Sequence, residues 1–344
     1  MHIPYTSVIN GTLKIICLIL LSCCGSSSPS DKDLLHKTNP HFLDWYQAHI
    51  KPLFQQQPIQ YLEREKHVRI AFRHFSTPNA DQLFMIFPGY TEPAAKYAEL
   101  VQNILNAGHD VLVIDHRGQG DSSKILTTRD AGYVDKFDDY IHDAKALFEK
   151  VKSTHTYRRH VAIGASMGGA IVTQLSLTHP HTFDSLVLIA PMFQIKTGKY
   201  TQQEALQIAQ WNIQLGRSKA YVIGKGPWNE QPTGFRGTSD FTRGYLGWLW
   251  SQENPHFRVG GPSYQWLVEA IHASRNIRLQ AHALNEPTLI LGSAEDHMVE
   301  PRAFEDFCLQ APRCQLQTIS GSHHEILQER DEVRTQAIQA ILDA

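Results

Sequence analysis

A serine lies at the centre of a Gly-x-Ser-x-Gly pattern that runs from Gly164 to Gly168. Residues 160–163 before it form an apolar run typical of a buried strand, and residues 167–177 after it predict an apolar helix. A sharp turn from strand to helix exposes a serine hydroxyl, and small residues on either side let the two elements approach closely. The pattern therefore predicts that Ser166 is a nucleophile for covalent catalysis.

A nucleophilic serine needs a histidine as its base and an acid that orients the histidine. Asp296, with Glu295 as the alternative, lies in a loop that leaves a late apolar run. The next apolar run is followed by two adjacent histidines, His323 and His324. Both loops follow the carboxyl ends of predicted strands, at the edge of the sheet where Ser166 also lies. We therefore expect Asp296 and one of the two histidines to complete a set in the order serine, acid, histidine.

The negative charge that develops in such a reaction is stabilised by backbone donors. The N–H of Met167 opens the helix after the serine and points toward the place where an oxyanion would form. The second donor is expected in the loop 87–91, where Gly89 allows a tight turn, so that the N–H of Tyr90 can face that of Met167. The alternative is that this loop is only a β-turn.

Apolar runs that suit strands buried on both faces alternate along the chain with amphipathic helical stretches. The strand-like runs are 82–87, 110–114, 160–163, 185–190, 287–292 and 315–319, preceded by the alternating run 67–75. The helical stretches are 94–107, 137–151, 167–177 and one that begins near residue 331. This rhythm predicts the α/β class, with a mostly parallel central sheet flanked by helices.

The rhythm breaks between residues 195 and 284, which are rich in large aromatic residues and lack buried-strand runs. A stretch of this kind predicts a helical lid inserted between two parts of one core, residues 61–194 and 285–344. We expect some of its aromatic side chains to line an apolar pocket, because a lid that admits an acyl chain needs an apolar lining.

The amino terminus predicts export. A short apolar run ends at Leu21; it is too short to span a bilayer as a helix but suits a secretion signal over residues 1–22. The sequence Leu-Leu-Ser-Cys that ends at Cys23 resembles a bacterial lipobox, which predicts lipidation of this cysteine. Residues 23–60 would then form a tether and an N-terminal extension on an exported, membrane-anchored protein. The alternatives are another export signal, an inner-membrane anchor, and a chain that is not exported.

The cysteine content and the net charge bear on the stability and the partners that we expect. Outside the N-terminal segment, Cys308 and Cys314 are the remaining cysteines, and they could either close a short loop as a disulfide or stay free thiols. The formal net charge of −2 provides no electrostatic basis for binding nucleic acid. The expected partners are therefore a small substrate and, through the tether, a membrane surface.

Together these residues resemble the α/β-hydrolase superfamily, in its branch of bacterial lysophospholipases and monoacylglycerol lipases. The resemblance covers approximately residues 60–340 and implies an α/β-hydrolase fold with a lid. Because the catalytic histidine of that branch precedes Glu-Ile-Leu, the resemblance implies His324 rather than His323. The markers are Asp-His-Arg-Gly-Gln-Gly at 115–120, Ser-Met-Gly-Gly at 166–169, Ala-Pro-Met-Phe at 190–193, Arg-Val-Gly-Gly-Pro-Ser-Tyr-Gln-Trp at 258–266 and His-Glu-Ile-Leu at 324–327.

The resemblance implies two-step hydrolysis of a fatty acyl ester. Ser166 would attack the ester carbonyl, His324 would take the proton of the serine, and Asp296 would orient the imidazole. The N–H groups of Tyr90 and Met167 would hold the oxyanion, and no metal or organic cofactor is needed.

The expected substrate is a lysophospholipid, because the marker at 258–266 is typical of the lysophospholipase side of the branch. A monoacylglycerol or a general carboxylic ester is the alternative substrate. A hypothesis of another class is a non-catalytic lipoprotein that uses the hydrolase fold for binding. The intact order of serine, acid and histidine argues against that hypothesis.

Overall fold

Eight strands form one sheet in the computed structural model, which describes residues 36–231, 235 and 237–344. The strands are β1 (Gln60–Glu63), β2 (Arg69–Phe75), β3 (Gln82–Phe87), β4 (Asp110–Ile114), β5 (Arg159–Ala165), β6 (Ser185–Ile189), β7 (Thr288–Gly292) and β8 (Cys314–Thr318). They lie in the order β1-β2-β4-β3-β5-β6-β7-β8. The β1–β2 and β2–β4 pairs are antiparallel and the remaining five pairs are parallel, which confirms the predicted mostly parallel sheet.

Helices connect the strands and precede the first of them. They are α1 (Pro40–Trp45), α2 (Lys51–Gln56), α3 (Ala98–Asn106), α4 (Asp138–Thr154), α5 (Met167–Thr178), α6 (Gln202–Gln214), α7 (Phe241–Glu253), α8 (Tyr264–Leu279), α9 (Arg302–Cys308) and α10 (Asp331–Asp343). A π-helical turn, Tyr46–Ile50, joins α1 to α2, and a 3₁₀ turn, Ala94–Tyr97, precedes α3. The predicted helix 94–107 is therefore shorter than its apolar pattern, because its first turn is wound more tightly.

The centre of the sheet is buried on both faces. Every residue of β4 and of β6 is buried, as are five of the six residues of β3. Parallel strands joined by helical crossovers are covered on both sides, and for this reason their sequences are continuously apolar instead of alternating. The edge strand β1 is exposed at three of its four residues, and it has no such apolar run by which to be predicted.

Helices α1 and α2 pack onto the body of the protein, although the sequence analysis assigns residues 23–60 to a tether and an extension. Tyr46, Ile50 and Phe54 are buried in the main core. The indole Nε1 of Trp250 donates a hydrogen bond to the Tyr46 hydroxyl over 2.9 Å. The three core residues are four positions apart, which brings them to one face of a helical segment. This part of the extension therefore belongs to the core.

Residues 195–284, which we call the inserted segment, carry α6, α7 and α8 between β6 and β7. Part of the segment packs on itself, since Ala209, Leu267 and Ile271 belong to a small apolar cluster between α6 and α8. Other side chains, among them that of Trp250, join the main core. Apolar residues of the segment thus hold it to itself and to the body.

A disulfide joins Cys308, at the end of α9, to Cys314, at the start of β8. Of the two alternatives left open by the sequence, the structure contains the bonded pair. A cross-link that closes so short a loop stabilises a fold by roughly 2 kcal/mol in the chain-entropy model.

The signal peptide expected over residues 1–22 and the lipidation expected at Cys23 lie outside the described residues. Within the part of the chain that the structure describes, no helix combines the length and the apolar character needed to cross a membrane.

Candidate active site

Ser166 is the single residue between the end of β5 and the start of α5. Its backbone has φ 49° and ψ −111°, and such a positive φ is rare for a residue with a side chain. Strain of this kind costs on the order of 1–3 kcal/mol and persists where the surroundings enforce it. Glycines make the turn sterically feasible. A Cβ on Gly168 would lie 1.9 Å from the carbonyl oxygen of Phe87, and one on Gly164 would lie 2.6 Å from the Cα of Gly169.

A chain of hydrogen bonds links Ser166, His324 and Asp296. His324 Nε2 lies 2.9 Å from Ser166 Oγ, and His324 Nδ1 lies 2.7 Å from Asp296 Oδ2. A carboxylate only accepts, so Nδ1 carries the proton and Nε2 can accept one from the serine hydroxyl. The three residues follow the carboxyl ends of β5, β7 and β8. The arrangement can deprotonate a serine for attack on a carbonyl carbon.

The Asp296 carboxylate is buried and has further donors. The N–H groups of Met298 and Val299 donate to Oδ1 over 2.7 Å and 2.9 Å. Burial by itself would raise the pKa of Asp296, but His324 and these two N–H groups outweigh it and lower the pKa below its usual 3.8. The side chain is therefore ionised at neutral pH. Lys196 donates to the backbone carbonyl of Asp296 over 2.6 Å, which ties the acid to the inserted segment.

The neighbouring candidates, His323 and Glu295, point elsewhere. His323 Nδ1 lies 3.2 Å from Glu329 Oε1, and the His323 N–H donates to the same oxygen over 2.8 Å. Glu295 is exposed, and its backbone N–H donates to Ser293 Oγ. The structure thus links Asp296 to the serine through His324, and neither His323 nor Glu295 belongs to this hydrogen-bonded chain.

The end of β3 and the loop after it, residues 87–92, lie against Ser166. A Cβ on Gly89 would be 3.4 Å from the Cβ of Ser166. Within residues 36–231, 235 and 237–344, the backbone N–H groups of Tyr90 and Met167 donate to no protein acceptor. Uncommitted N–H groups on the two segments that flank a nucleophile can receive the negative charge of a tetrahedral intermediate.

The turn after β4 holds this loop in place. Gln119 Nε2 donates to the carbonyl of Gly89 over 2.9 Å, and Gln119 Oε1 accepts the N–H of Thr91 over 2.9 Å. His116 Nε2 donates to the carbonyl of Pro88 over 3.1 Å. Burial lowers the pKa of His116 to about 4, so the ring is neutral at physiological pH. No sequence pattern predicted His116 or Gln119 as part of the site, although both lie in the marker at 115–120.

The side chain of Tyr90 reaches the inserted segment. Its ring packs on Trp266 with 4.2 Å between centroids, and its hydroxyl donates to the carbonyl of Gly260 over 3.0 Å. Trp266 and Gly260 both lie in the marker at 258–266. The marker at 258–266 therefore contacts the loop that carries Tyr90, one of the two candidate oxyanion donors.

A cavity of about 830 Å³ opens above Ser166, between the sheet edge and the inserted segment. Its lining is mainly apolar and includes Ile195, Ile208, Val222, Val259, Trp266 and Leu267. Four lysines also line it, Lys96, Lys196, Lys199 and Lys225. Among the described residues, no group of three or more histidine, cysteine, aspartate or glutamate side chains is placed to hold a metal ion.

Comparison with known proteins identifies similar chains. Residues 78–331 match the family described as serine aminopeptidase, S33. Lysophospholipase L2 of Escherichia coli (strain K12) is 34% identical over 291 residues, which cover 80% of this chain and 84% of that protein. A probable lysophospholipase L2 of Haemophilus influenzae is 28% identical over 306 residues, 88% of this chain and 96% of the other. A soluble variant of Saccharomyces cerevisiae monoglyceride lipase, solved with a substrate analogue, shares the fold with a TM-score of 0.66 at 19% identity, covering 83% and 93% of the two chains.

Replacing the buried acid tests the hydrogen-bonded set. We expect Asp296→Asn to lower kcat for a p-nitrophenyl ester by about 10³- to 10⁴-fold with little change in KM, because an amide favours the wrong tautomer of the histidine. The exposed neighbour provides the matched control, Glu295→Gln, which should keep kcat within about two-fold of the parent because its side chain lies outside the site. A folded Asp296→Asn protein that retained the parental kcat would remove Asp296 from the assignment.

Proposed function

The chain belongs to the family described as serine aminopeptidase, S33, among the α/β hydrolases, and is an ester hydrolase; we propose that it cleaves the fatty acyl ester of lysophospholipids. One observation carries the proposal. The hydrogen-bonded residues Ser166, His324 and Asp296 meet a large, mainly apolar cavity that also carries lysines. The relatives named lysophospholipase L2 support the same class of substrate.

In the proposed reaction, His324 Nε2 takes the proton of Ser166 as Oγ bonds to the acyl carbon. Asp296 stabilises the imidazolium, and the N–H groups of Tyr90 and Met167 donate to the oxyanion, each typically worth a few kcal/mol of the barrier. His324 then protonates the departing alcohol oxygen as its bond to the acyl carbon breaks. Water, deprotonated by His324, attacks the acyl-enzyme, and the fatty acid leaves as Ser166 regains its proton.

The cavity supports a fatty acyl group as the part of the substrate that is bound. Its volume of about 830 Å³ lies in the range of ligand pockets, and its mainly apolar wall removes hydrocarbon from water. Burying each methylene of a chain contributes about 0.8 kcal/mol. Because the inserted segment supplies much of this wall, we propose that residues 195–284 act as the lid of the cavity, between core parts 61–194 and 285–344.

The lysines support a phosphate-bearing head group. Lys199 and Lys225 are exposed and line the cavity from two different loops of the inserted segment. Neither forms an ion pair with any part of the chain that the structure describes, whereas Lys96 is paired with carboxylates. Two uncompensated cations suit the phosphodiester of a lysophospholipid, and they have no anionic group to bind in a monoacylglycerol.

A fluorophosphonate probe tests the nucleophile and its base. We expect the probe to label the parent protein and to leave Ser166→Ala unlabelled, because the probe bonds covalently to an activated serine. His324→Ala should label far more slowly, and His323→Ala should label at about the parental rate because His323 pairs with Glu329. Labelling of Ser166→Ala at the parental rate would refute the assigned nucleophile, and a parent that is not labelled would favour the binding-protein hypothesis.

Neutralising the two lysines tests the head group. We expect Lys199→Gln with Lys225→Gln to lower kcat/KM for lysophosphatidylcholine about 2- to 30-fold and to leave that for monoacylglycerol unchanged, since each of two exposed ion pairs contributes about 0.2–1 kcal/mol. The loss should shrink at high salt, where exposed charges are screened. Lys150→Gln, on the exposed side of α4, is the control. Equal losses on both substrates, or none on either, would favour a monoacylglycerol lipase or a general carboxylesterase.

We also propose that the protein is exported and held at a membrane by lipid on Cys23. The similarity of the segment ending at Cys23 to a lipobox supports this, and the segment lies outside the described residues. We expect radiolabelled palmitate to be incorporated into the parent and not into Cys23→Ser, while Cys24→Ser, the adjacent cysteine, remains labelled. Incorporation that persists in Cys23→Ser would remove the tether.

A further inference from the structure

Lys96 lies between two carboxylates beside the candidate active site. Its Nζ is 2.6 Å from Glu92 Oε1 and 2.8 Å from Glu325 Oε2. We call these three side chains the Lys96 bridge, and all of them line the cavity that contains Ser166. The side chains of Lys96 and Glu92 are only 11% and 15% exposed, so their contact is largely removed from water. An ion pair in that position is costly to break, in contrast to one on the surface.

One end of the bridge holds the loop 87–92. Glu92 Oε2 accepts the N–H of Gly89 over 2.7 Å and the hydroxyl of Tyr97 over 2.5 Å. The fit is close, since a Cβ on Gly89 would lie 2.5 Å from the same carboxylate oxygen. Gly89 directly precedes Tyr90, whose N–H is the proposed oxyanion donor. The position of the Glu92 carboxylate therefore constrains the peptide next to that donor.

The other end of the bridge holds the loop that carries the base. Glu325 directly follows His324, and its backbone N–H donates to the carbonyl of Gly237 over 2.7 Å. Its carboxylate turns back to Lys96, which belongs to the 3₁₀ turn after β3. Two loops far apart in the sequence are thus joined through a single ammonium group.

The charges of the bridge are mutually dependent. Burial would raise the pKa of Glu92, but the charge and hydrogen bond of Lys96, with the donors Tyr97 and Gly89, outweigh it and lower the pKa below its usual 4.5. Burial works against the charged form of Lys96 too, but the two carboxylates raise its pKa overall. Without the ammonium group, two carboxylates would face each other beside His324, and like charges in a poorly hydrated site repel strongly.

We propose that the Lys96 bridge holds the proposed oxyanion loop and the His324 loop in register, with Lys96 as its central positioning residue. An oxyanion donor must lie about 2.7–3.1 Å from the oxygen that it stabilises, while the base must stay within hydrogen-bond reach of the serine. A displacement of about 1 Å can lower the rate 10²-fold. The bridge rests on the roles proposed for Tyr90 and His324, and is independent of which lipid is cleaved.

The experiment removes the ammonium group from the full chain and measures hydrolysis of p-nitrophenyl butyrate. We expect Lys96→Met to lower kcat by about 10- to 100-fold while KM stays within about two-fold, because the reacting groups are misaligned and the apolar wall of the cavity is kept. Phosphonylation of Ser166 by a fluorophosphonate should slow in parallel. Lys51→Met is the matched control, since it makes the same substitution in an ion pair of 2.7 Å with Glu253 that lies outside the cavity lining.

A second variant tests the bridge if Lys96→Met does not fold. Glu325→Gln keeps the shape and an oxygen that can accept from Lys96, so it weakens one arm of the bridge without leaving a buried cation unpaired. We expect kcat to fall several-fold with KM unchanged. The proposal is overturned if folded Lys96→Met keeps kcat within about two-fold, if Lys51→Met loses as much, or if Glu325→Gln is fully active where Lys96→Met does not fold.

The same measurements distinguish a failure of the Lys96 bridge proposal from a failure of the proposed function. A parent that cleaves p-nitrophenyl butyrate but not lysophospholipids would refute the proposed substrate and leave the bridge standing. A parent whose Ser166 is not phosphonylated would refute the catalytic roles on which both proposals rest. A parent active on lysophospholipids with a fully active, folded Lys96→Met would refute the bridge alone.

Discussion

The positive φ of Ser166 is the constraint on which the rest of the site depends. The strained turn is held at both of its backbone groups, because the Ser166 N–H donates to the carbonyl of Ile189 over 2.9 Å and the Met192 N–H donates to the carbonyl of Ser166 over 2.8 Å. Ile189 is the last residue of the neighbouring strand β6, and Met192 lies three residues beyond it. The buried parallel sheet therefore supplies the rigidity that keeps a serine in a conformation it would otherwise leave. Gly164 and Gly168 provide the space that this close approach requires.

Parallel pairing then decides what surrounds the serine. In a sheet of parallel strands the carboxyl ends lie at one edge, so the loops after β3, β5, β7 and β8 meet there. The loop after β3 and the turn after β4 are joined by hydrogen bonds from Gln119 and His116. Both bonds end on backbone carbonyls of the loop, so they fix the course of its main chain. The resulting site is preorganised by the scaffold on which it is built.

The inserted segment contributes to the site as well as covering it. It contacts three loops of the candidate site, through Lys196 on the carbonyl of Asp296, Gly260 on the hydroxyl of Tyr90, and Gly237 on the N–H of Glu325. Each buried charge in these loops has a partner: Asp296 has His324 and two backbone donors, and Glu92 has Lys96. Buried charges without such partners would destabilise the fold. The contacts that pair these charges also position the loops.

The sequence by itself determined the class of the fold and predicted the nucleophile, because both are recorded in local patterns. Short continuous apolar runs bounded by turn residues favour strands covered on both faces, and a Gly-x-Ser-x-Gly pattern between such a run and a helix predicts a sharp turn at its serine. The order of the chain also brought Asp296 and a histidine to the right edge of the sheet. The order of the chain could not distinguish His323 from His324 without the family resemblance. Two adjacent residues of one loop occupy the same place in the pattern, and they differ only in the direction of their side chains.

Only the tertiary structure decided the contacts between residues that are distant in the chain. The packing of Tyr46, Ile50 and Phe54 into the core was not foreseen, because a short apolar periodicity near the amino terminus is equally consistent with an extension. Nor did any local pattern link Lys96 to Glu325, since a lysine and a glutamate are ordinarily solvated surface residues. Such pairs depend on where the sheet places separate loops, and that placement is a property of the whole fold.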